Sequence, residues 1–258
     1  MNATETAALD AEQALCRSVL YKALSLGFLP PTSETTARLG SEEAAEVLAK
    51  AAATVDPDSE FILHDLARAL CRAQDADNVD ALSEAFAILF GHTSRGVVPP
   101  YETEYGKDAP FLQPQELSDI SGFYRAFGLV LSKTVHERVD HISCECEFIS
   151  FLSLKTAYAL EEERWDLIEE TRRAHKLFLG DHLAKFAATF GRKLAREDPF
   201  GLYGRLGNLC IALVQSDCKR LGISSAPDNL PVREIVEDRT PMACDTCSEL
   251  TTEPEDDY

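Results

Sequence analysis

The chain has 258 residues, with 25 Lys and Arg against 44 Asp and Glu, and its formal net charge at pH 7 is −19. This charge argues against general nucleic-acid binding, because polyanions are held mainly by Lys and Arg side chains. Hydrophobic residues make up 45% of the chain, which is enough for a packed core and too much for a disordered protein. The length allows one large domain or two small ones.

No apolar run approaches the roughly 18 to 20 residues that cross a bilayer. The N-terminal segment MNATETAALDAEQAL has no basic region and carries acidic residues where an export signal would be positive. We therefore expect a cytoplasmic protein without a membrane span.

Apolar residues recur at helical spacing along most of the chain. This periodicity predicts helices over residues 4–26, 42–53, 59–72, 80–90, 115–127, 140–161, about 172–194 and 201–219. Asp140 is well placed to cap the start of the sixth of these helices. No alternating strand pattern and no internal repeat is present. The prediction is an all-α protein, a single bundle of about eight helices.

Residues 91–114 interrupt this pattern with seven Gly and Pro residues, so they cannot form a long regular element. Long loops inside a compact domain are usually functional or disordered, and the aromatic residues here favour an ordered loop. Within it, the run Tyr101-Glu102-Thr103-Glu104-Tyr105 is the densest polar and aromatic segment. It is interpreted equally well as a loop packed on the bundle or as the wall of a peptide groove, with carboxylates facing a basic ligand.

The last part of the chain differs from the body. From Arg233 to Tyr258 there are nine acidic and two basic residues and no amphipathic period. We expect residues 1–226 to form the helical domain and residues 227–258 to form a mobile acidic tail.

The eight cysteines do not indicate a disulfide framework, because six of them lie in stretches with helical periodicity. We interpret these six as reduced thiols packed as small hydrophobic side chains. The other two, Cys244 and Cys247, form a CxxC pair in the tail. A structural zinc site needs four ligands and this pair supplies two, so it is a weak metal candidate. His175 and His182 are interpreted as core or interfacial histidines.

Three segments together resemble a known family. Residues 90–105, containing Val98-Pro99-Pro100-Tyr101-Glu102-Thr103-Glu104-Tyr105, resemble its "P-PYES-x-Y" segment. Residues 140–149 are similar to its "DH-xxx-E-x-EFM" segment, and residues 178–186 to its "FLxxHLxxW" segment, with Phe186 where Trp is usual. The family is the TorD/DmsD/NarJ group of redox-enzyme maturation chaperones.

The resemblance implies a cytoplasmic chaperone, not an enzyme, dedicated to one molybdenum oxidoreductase of the dimethyl-sulfoxide-reductase type. Its partner would be the catalytic subunit with its twin-arginine signal peptide. It would hold no permanent cofactor, contacting molybdopterin guanine dinucleotide only transiently on that subunit, and would be a monomer or a homodimer. The residues expected to line or support the peptide groove are Tyr101, Glu102, Tyr105, Asp140, His141, Glu145 and Glu147. Only one of Glu145 and Glu147 can face the groove, because they are two residues apart on a helix.

An alternative is an all-helical metal-dependent phosphohydrolase. Its ligands would come from the pairs Asp140-His141 and Asp181-His182, with His136 nearby. No other ligand pair flanks them in the sequence.

Overall fold

The computed structural model describes residues 3–55, 76–91, 95–106, 113–132, 137–224, 227 and 229–233. Throughout these ranges the regular elements are helices, so the predicted all-α class is confirmed. The described α-helices are α1 (Ala3–Gly27), α2 (Ser33–Gly40), α3 (Glu42–Val55), α4 (Ala76–Phe90), α5 (Gln113–Ala126), α6 (Ile142–Glu161), α7 (Trp165–Phe178), α8 (Ala184–Glu197) and α9 (Leu202–Leu221). The helix predicted over 59–72 and the tail from residue 234, with Cys244 and Cys247, lie outside the described residues.

The core is built around α6, and its packing along α1 is the most extensive interface among the described helices. Leu20 and Leu24 of α1 and Ile149 of α6 are buried in this core, and Phe148 of α6 is buried against the rings of Phe123, Tyr124 and Phe178. Such side chains recur every three to four residues and form the apolar stripe that a core-facing helix requires. Leu15 lies on the predicted apolar face of α1 but is 45% exposed. The apolar face of α1 therefore extends beyond the part of the helix that is buried in the core.

The helix α2 was not predicted. Thr32 caps it: the Thr35 amide donates to Thr32 Oγ1 at 3.1 Å and the Thr32 amide donates to Thr35 Oγ1 at 2.9 Å. A capping box usually has Glu or Gln as its second member. Here Thr35 takes that position, so the sequence does not show the usual pattern for the start of a helix.

The predicted helix over 172–194 is longer and is interrupted. Helix α7 begins at Trp165, and a wide π-turn over Leu179–Leu183 separates it from α8. A π-turn inserts an extra residue into the helical repeat and is frequent at functional sites. Here it carries His182, and a uniform helical period does not predict it.

Helices α8 and α9 approach closely through two glycines. A Cβ atom added to Gly191 would lie 2.5 Å from the carbonyl oxygen of Gly207, and one added to Gly207 would lie 2.6 Å from that of Gly191. Only glycine, whose side chain is a hydrogen atom, allows the two backbones to come this close.

The cap of α6 corrects a prediction. His141, not Asp140, occupies the N-cap position, and its Nδ1 accepts from the Ser143 amide at 3.1 Å. Asp140 does not cap the helix because Arg138 and Thr103 hold its carboxylate. His141 is 1% exposed.

A buried ionic cluster joins α1, α7 and α9 around Asp217, which is fully buried. Its carboxylate lies 2.9 Å from Arg17 Nε, 3.0 Å from Arg220 Nε and 3.2 Å from His175 Nε2. Burial acts to raise the pKa of Asp217, but the His175 hydrogen bond and the charges of Arg220 and Arg17 hold that pKa well below its ordinary value. We call Asp217, Arg17, Arg220 and His175 the Asp217 cluster.

Among the described helices, none is both long enough and apolar enough to cross a bilayer. The described cysteines are free thiols, as predicted for them: Cys16, Cys144, Cys146, Cys210 and Cys218.

Replacement of Asp217 by Asn is expected to lower the free energy of unfolding by about 3 to 5 kcal/mol, because it leaves the buried guanidinium group of Arg17 without its carboxylate. Urea unfolding measures this loss. The matched control is Asp166→Asn, which breaks the exposed Arg164–Asp166 pair and should leave the free energy of unfolding close to the native value. Equal losses in the two variants would contradict the assignment of Asp217 as a central buried ion.

The stability contribution of His141 is expected to depend on pH. Burial lowers the pKa of His141 to about 4, whereas the unfolded imidazole titrates near pH 6.5. As the pH falls from 7 to 5 the unfolded chain gains a proton that folded His141 does not, so stability is lost. His141→Asn keeps a good N-cap without titrating.

The stability of the native chain relative to the His141→Asn variant should therefore fall by about 2 kcal/mol between pH 7 and pH 5. Urea unfolding of both proteins at the two pH values gives this difference. A difference that stays constant with pH would show that His141 is not a buried neutral base.

Candidate functional site

The loop over residues 99–106 lies directly against the start of α6. The Glu102 amide donates to the Asp140 carbonyl at 2.9 Å, and the Ile142 amide donates to the Pro100 carbonyl at 2.8 Å. Tyr101 and His141 thereby form an isolated antiparallel pair. This backbone pairing brings together two of the three motifs, which lie about 40 residues apart in the sequence.

Asp140 fixes this arrangement with its side chain. The carboxylate is fully buried and accepts from Arg138 Nη2 at 2.6 Å and from Thr103 Oγ1 at 2.8 Å. The Thr103 amide also donates to it, at 3.2 Å. Asp140 therefore supports the loop from beneath and does not face an open surface.

The side chains of the two tyrosines of the loop also contact other residues of the protein. Tyr101 donates its hydroxyl to Glu137 Oε2 at 2.8 Å, and the Arg138 guanidinium lies 4.4 Å from its ring centroid. Tyr105 is buried, donates to the Pro99 carbonyl at 2.7 Å and packs on Phe186. Phe186, which stands where the resembling family usually has Trp, is thus part of the support for the loop.

Glu102 is the loop residue that borders a groove. Its Oε2 lies 3.1 Å from His182 Nδ1, and the other ring nitrogen of His182 lies 3.4 Å from Asp119 Oδ2. Asp119 is 65% exposed in its side chain, so this row of three groups runs from the interior to the surface. We call the surrounding depression of about 690 Å³ the acidic groove; it is lined by Glu102, Pro114, Gln115, Glu116, Ser118, Asp119, Gly122, His182 and Lys185.

Glu145 lies behind Glu102 and is completely buried. None of the described donors reaches either of its carboxyl oxygens. Burial, followed by the negative charges of Glu102 and Asp140, raises the pKa of Glu145 well above its ordinary value. A protonated Glu145 can donate to Glu102 and so hold the Glu102 carboxylate in place.

Glu147 points the opposite way, as the two-residue spacing predicts. Its side chain is 59% exposed and lies 2.5 Å from Lys22 Nζ. It borders two depressions that share Glu147 and Phe151, with volumes of about 510 and 340 Å³. We call the two together the apolar groove; its apolar lining includes Leu15, Val19, Leu26, Leu39, Val47, Leu48, Leu129, Val130, Leu131, Phe151 and Leu154.

The seven predicted residues therefore take different places. Glu102 borders the acidic groove and Glu147 the apolar groove, while Tyr101 is half-buried. Asp140, His141, Tyr105 and Glu145 are buried and support the loop and the start of α6.

Two groove residues were not predicted to be part of the site. His182 is buried, as expected of a core histidine, but its ring lies between Glu102 and Asp119. Its place in the third motif was the signal that could have found it. The sequence gives no reason to select Asp119, because acidic residues are common on the exposed polar face of a helix.

The metal ligand sets considered above do not form within the described residues, which contain no group of three or more His, Cys, Asp and Glu side chains able to hold an ion. Asp140 is held by Arg138, and His182 lies between two carboxylates. His136, Cys244 and Cys247 lie outside the described residues.

Comparison with known proteins gives relatives that are named as chaperones. The chain is 26% identical over 153 residues to the chaperone protein TorD of Vibrio cholerae, covering 59% of this chain and 68% of that protein. It is 27% identical over 158 residues to the chaperone protein TorD of Vibrio atlanticus, covering 60% and 72%. It is 34% identical over 106 residues to the selenate reductase assembly chaperone protein of Thauera selenatis, covering 41% and 53%.

The family model described as nitrate reductase delta subunit matches residues 52–192. That range includes all three motifs and every residue of the predicted peptide site, and it confirms the resemblance drawn from them. Because the match extends over more than half of the sequence, this chain belongs to the nitrate reductase delta subunit family, which includes the TorD and NarJ chaperones.

Proposed function

We propose that this protein is a dedicated assembly chaperone that binds the twin-arginine leader of the catalytic subunit of a molybdenum oxidoreductase. It acts in the cytoplasm, keeps the leader from export, and assists insertion of molybdopterin guanine dinucleotide into that subunit. The observation that carries the proposal is the acidic groove, where Glu102 and Asp119 flank His182 at hydrogen-bond and ion-pair distances.

The charge of the acidic groove suits a cationic peptide. Three carboxylates, Glu102, Glu116 and Asp119, line it together with one lysine, Lys185, and Glu116 also pairs with Arg233 at 3.4 Å. A guanidinium group binds a carboxylate through two parallel hydrogen bonds, which makes arginine the favoured basic residue at such a site. The net charge of −19 also attracts a basic segment from a distance and accelerates its encounter with the protein.

The apolar groove suits the hydrophobic part of a leader. Val47 and Leu154, which line the larger of its two depressions, are 48% and 50% exposed, and Val130, which lines the smaller one, is 83% exposed. A contiguous exposed apolar surface marks a binding site more often than an accident of packing. Helix α5 contributes Asp119 to the acidic groove and Tyr124 to the apolar groove, so one element takes part in both.

The names of the relatives agree with this role, since both kinds are called chaperones and one is named for the assembly of a reductase. We propose no catalytic activity. Molybdopterin guanine dinucleotide would belong to the client subunit and would contact this protein only in passing. A monomer or a homodimer is compatible with the proposal.

The phosphohydrolase alternative lacks a supporting observation in the described residues. Its central ligand, Asp140, is fully buried and neutralised by Arg138. A carboxylate already paired in this way is a poor metal ligand.

Removal of either groove carboxylate is expected to weaken leader binding. Glu102→Gln and Asp119→Asn should each raise the Kd of a synthetic leader peptide with two adjacent arginines by about tenfold at low salt, because each loses a charge-assisted hydrogen bond. Fluorescence anisotropy of the labelled peptide gives the Kd. Since Asp119 is mostly exposed, its replacement leaves the fold intact and separates binding from stability.

The control for these variants is Glu161→Gln, which removes the same charge from the exposed end of α6. It should leave the Kd within about twofold of the native value, since a distant exposed charge is screened. An equal rise in Kd in all three variants would show that only the overall charge of the protein matters. That result would contradict a peptide site at Glu102.

The apolar groove is expected to bind the hydrophobic segment of the same leader. Val47→Glu and Leu154→Glu place a charge on its wall and should raise the Kd about tenfold, because a buried unpaired carboxylate is costly. A shortened peptide that keeps the arginines but lacks the apolar segment should bind these variants and the native protein alike. The control is Ile88→Glu, at an apolar residue that is 60% exposed and outside both grooves; a loss of the same size in this control would sink the assignment.

A further inference from the structure

Residues 229–233 pair with the loop beside the acidic groove. The Gly106 amide donates to the Pro231 carbonyl at 2.9 Å, and the Arg233 amide donates to the Glu104 carbonyl at 2.8 Å. These two hydrogen bonds flank an isolated antiparallel bridge. They use backbone groups of the loop, so another extended peptide segment can form them in place of residues 229–233.

Arg233 brings a guanidinium group to the acidic groove. Its Nη2 lies 3.4 Å from Glu116 Oε1, and Glu116 lines that groove. One of the three carboxylates that the groove offers to a cationic peptide is therefore already paired with an arginine of the same chain. Arg233 makes the kind of contact that an arginine of the leader would make.

The pair between Arg233 and Glu116 is weaker than this carboxylate allows. A guanidinium group commonly donates two parallel hydrogen bonds of about 2.7 to 2.9 Å to a carboxylate. The contact of Arg233 with Glu116 is longer, and the other carboxylate oxygen, Oε2, accepts no hydrogen bond from the described residues. A guanidinium group that contacts both oxygens would bind Glu116 more strongly than Arg233 does.

Residues 229–233 have few buried contacts. None of them is fully buried, and the leucine and valine side chains among them are half-buried against the core. Outside the loop, the Leu230 amide donates to Thr189 Oγ1 at 3.0 Å. Arg95 donates to the Arg233 carbonyl at 2.6 Å. Segments with so little buried apolar surface open locally at a low cost in free energy.

We propose that the edge of the loop paired with residues 229–233 is part of the leader site, and that the arginine-bearing segment of the leader displaces these residues. The leader segment takes over the backbone hydrogen bonds of Gly106 and Glu104, and one of its arginines replaces Arg233 at Glu116. The loop is thereby paired in both states, first with its own chain and then with the leader. This inference rests on the proposed function and adds a backbone-pairing edge to the acidic groove.

Removal of the internal arginine is expected to strengthen leader binding. Arg233→Gln should lower the Kd of a synthetic leader peptide with two adjacent arginines by about fivefold at low salt, because Glu116 is then unpaired before the leader arrives. Fluorescence anisotropy gives the Kd. The control is Arg196→Gln, which removes an equal charge from an arginine that is 70% exposed in its side chain and lines neither groove. It should leave the Kd within about twofold of the native value.

Glu116→Gln separates competition at Glu116 from a change in overall charge. In chains that carry this substitution, Arg233→Gln should leave the Kd unchanged, because the carboxylate for which the two arginines compete is absent. An equal lowering of the Kd with and without Glu116 would show that Arg233 acts only through its charge. A higher Kd in Arg233→Gln alone would show that residues 229–233 only support the loop. Either result overturns the proposal.

Hydrogen exchange measures the displacement itself. In the full chain saturated with leader peptide, NMR should show faster exchange of the Arg233 amide than in the free chain, because its hydrogen bond to Glu104 is lost. The Ile142 amide, which donates to the Pro100 carbonyl, is the control and should keep its rate.

The remaining outcomes separate this inference from the proposed function. Saturable leader binding with unchanged exchange at Arg233, or with equal acceleration at Arg233 and Ile142, overturns the displacement and leaves leader binding in place. If neither the native chain nor Arg233→Gln binds the leader saturably, the proposed function fails and this inference fails with it.

Discussion

The buried carboxylate of Asp140 is the constraint on which the site depends. An ionised carboxylate away from water must be paired and hydrogen-bonded, and here Arg138 and the Thr103 amide and hydroxyl meet that need. Two of these donors come from the loop over 99–106 and the third from the approach to α6. Satisfying one charge therefore joins two distant parts of the chain and leaves Glu102, next to Thr103, at the edge of the acidic groove.

On α6, two glutamates that are two residues apart take opposite roles. Glu145 is turned inward, where burial and the charge of Glu102 favour its neutral form, while Glu147 is turned outward to meet Lys22. The apolar residues divide in a similar way. Helix α1 buries Leu20 and Leu24 in the core but leaves Leu15 on the wall of the apolar groove. The protein keeps apolar surface open there, as the proposed binding of the hydrophobic part of a leader requires.

Much of the fold follows from the sequence, because the helices with strong apolar periodicity, such as α1, α6 and α9, are found close to where the pattern predicts them. The opposed orientations of Glu145 and Glu147 also follow from helical geometry alone. The cap of α6 was predicted one residue too early, since local preference for Asp as a cap cannot anticipate that Arg138 and Thr103 hold the carboxylate. The row from Glu102 through His182 to Asp119 was beyond prediction. Those residues lie far apart in the chain, and a π-turn that no periodic pattern reveals orients one of them.

The loop that carries Glu102 has a second support on its other side. Residues 229–233 lie beside it: the Gly106 amide donates to the Pro231 carbonyl at 2.9 Å, and the Arg233 amide donates to the Glu104 carbonyl at 2.8 Å. Arg95 adds a hydrogen bond of 2.6 Å to the Arg233 carbonyl. The loop is thus held on both sides by isolated β-bridges, Tyr101 with His141 and Tyr105 with Val232. A chain shortened to residue 226 would retain all the described helices but would lose the hydrogen bonds from residues 229–233 to the loop. Truncation of the C-terminal segment therefore removes one of the two supports of the loop that borders the acidic groove.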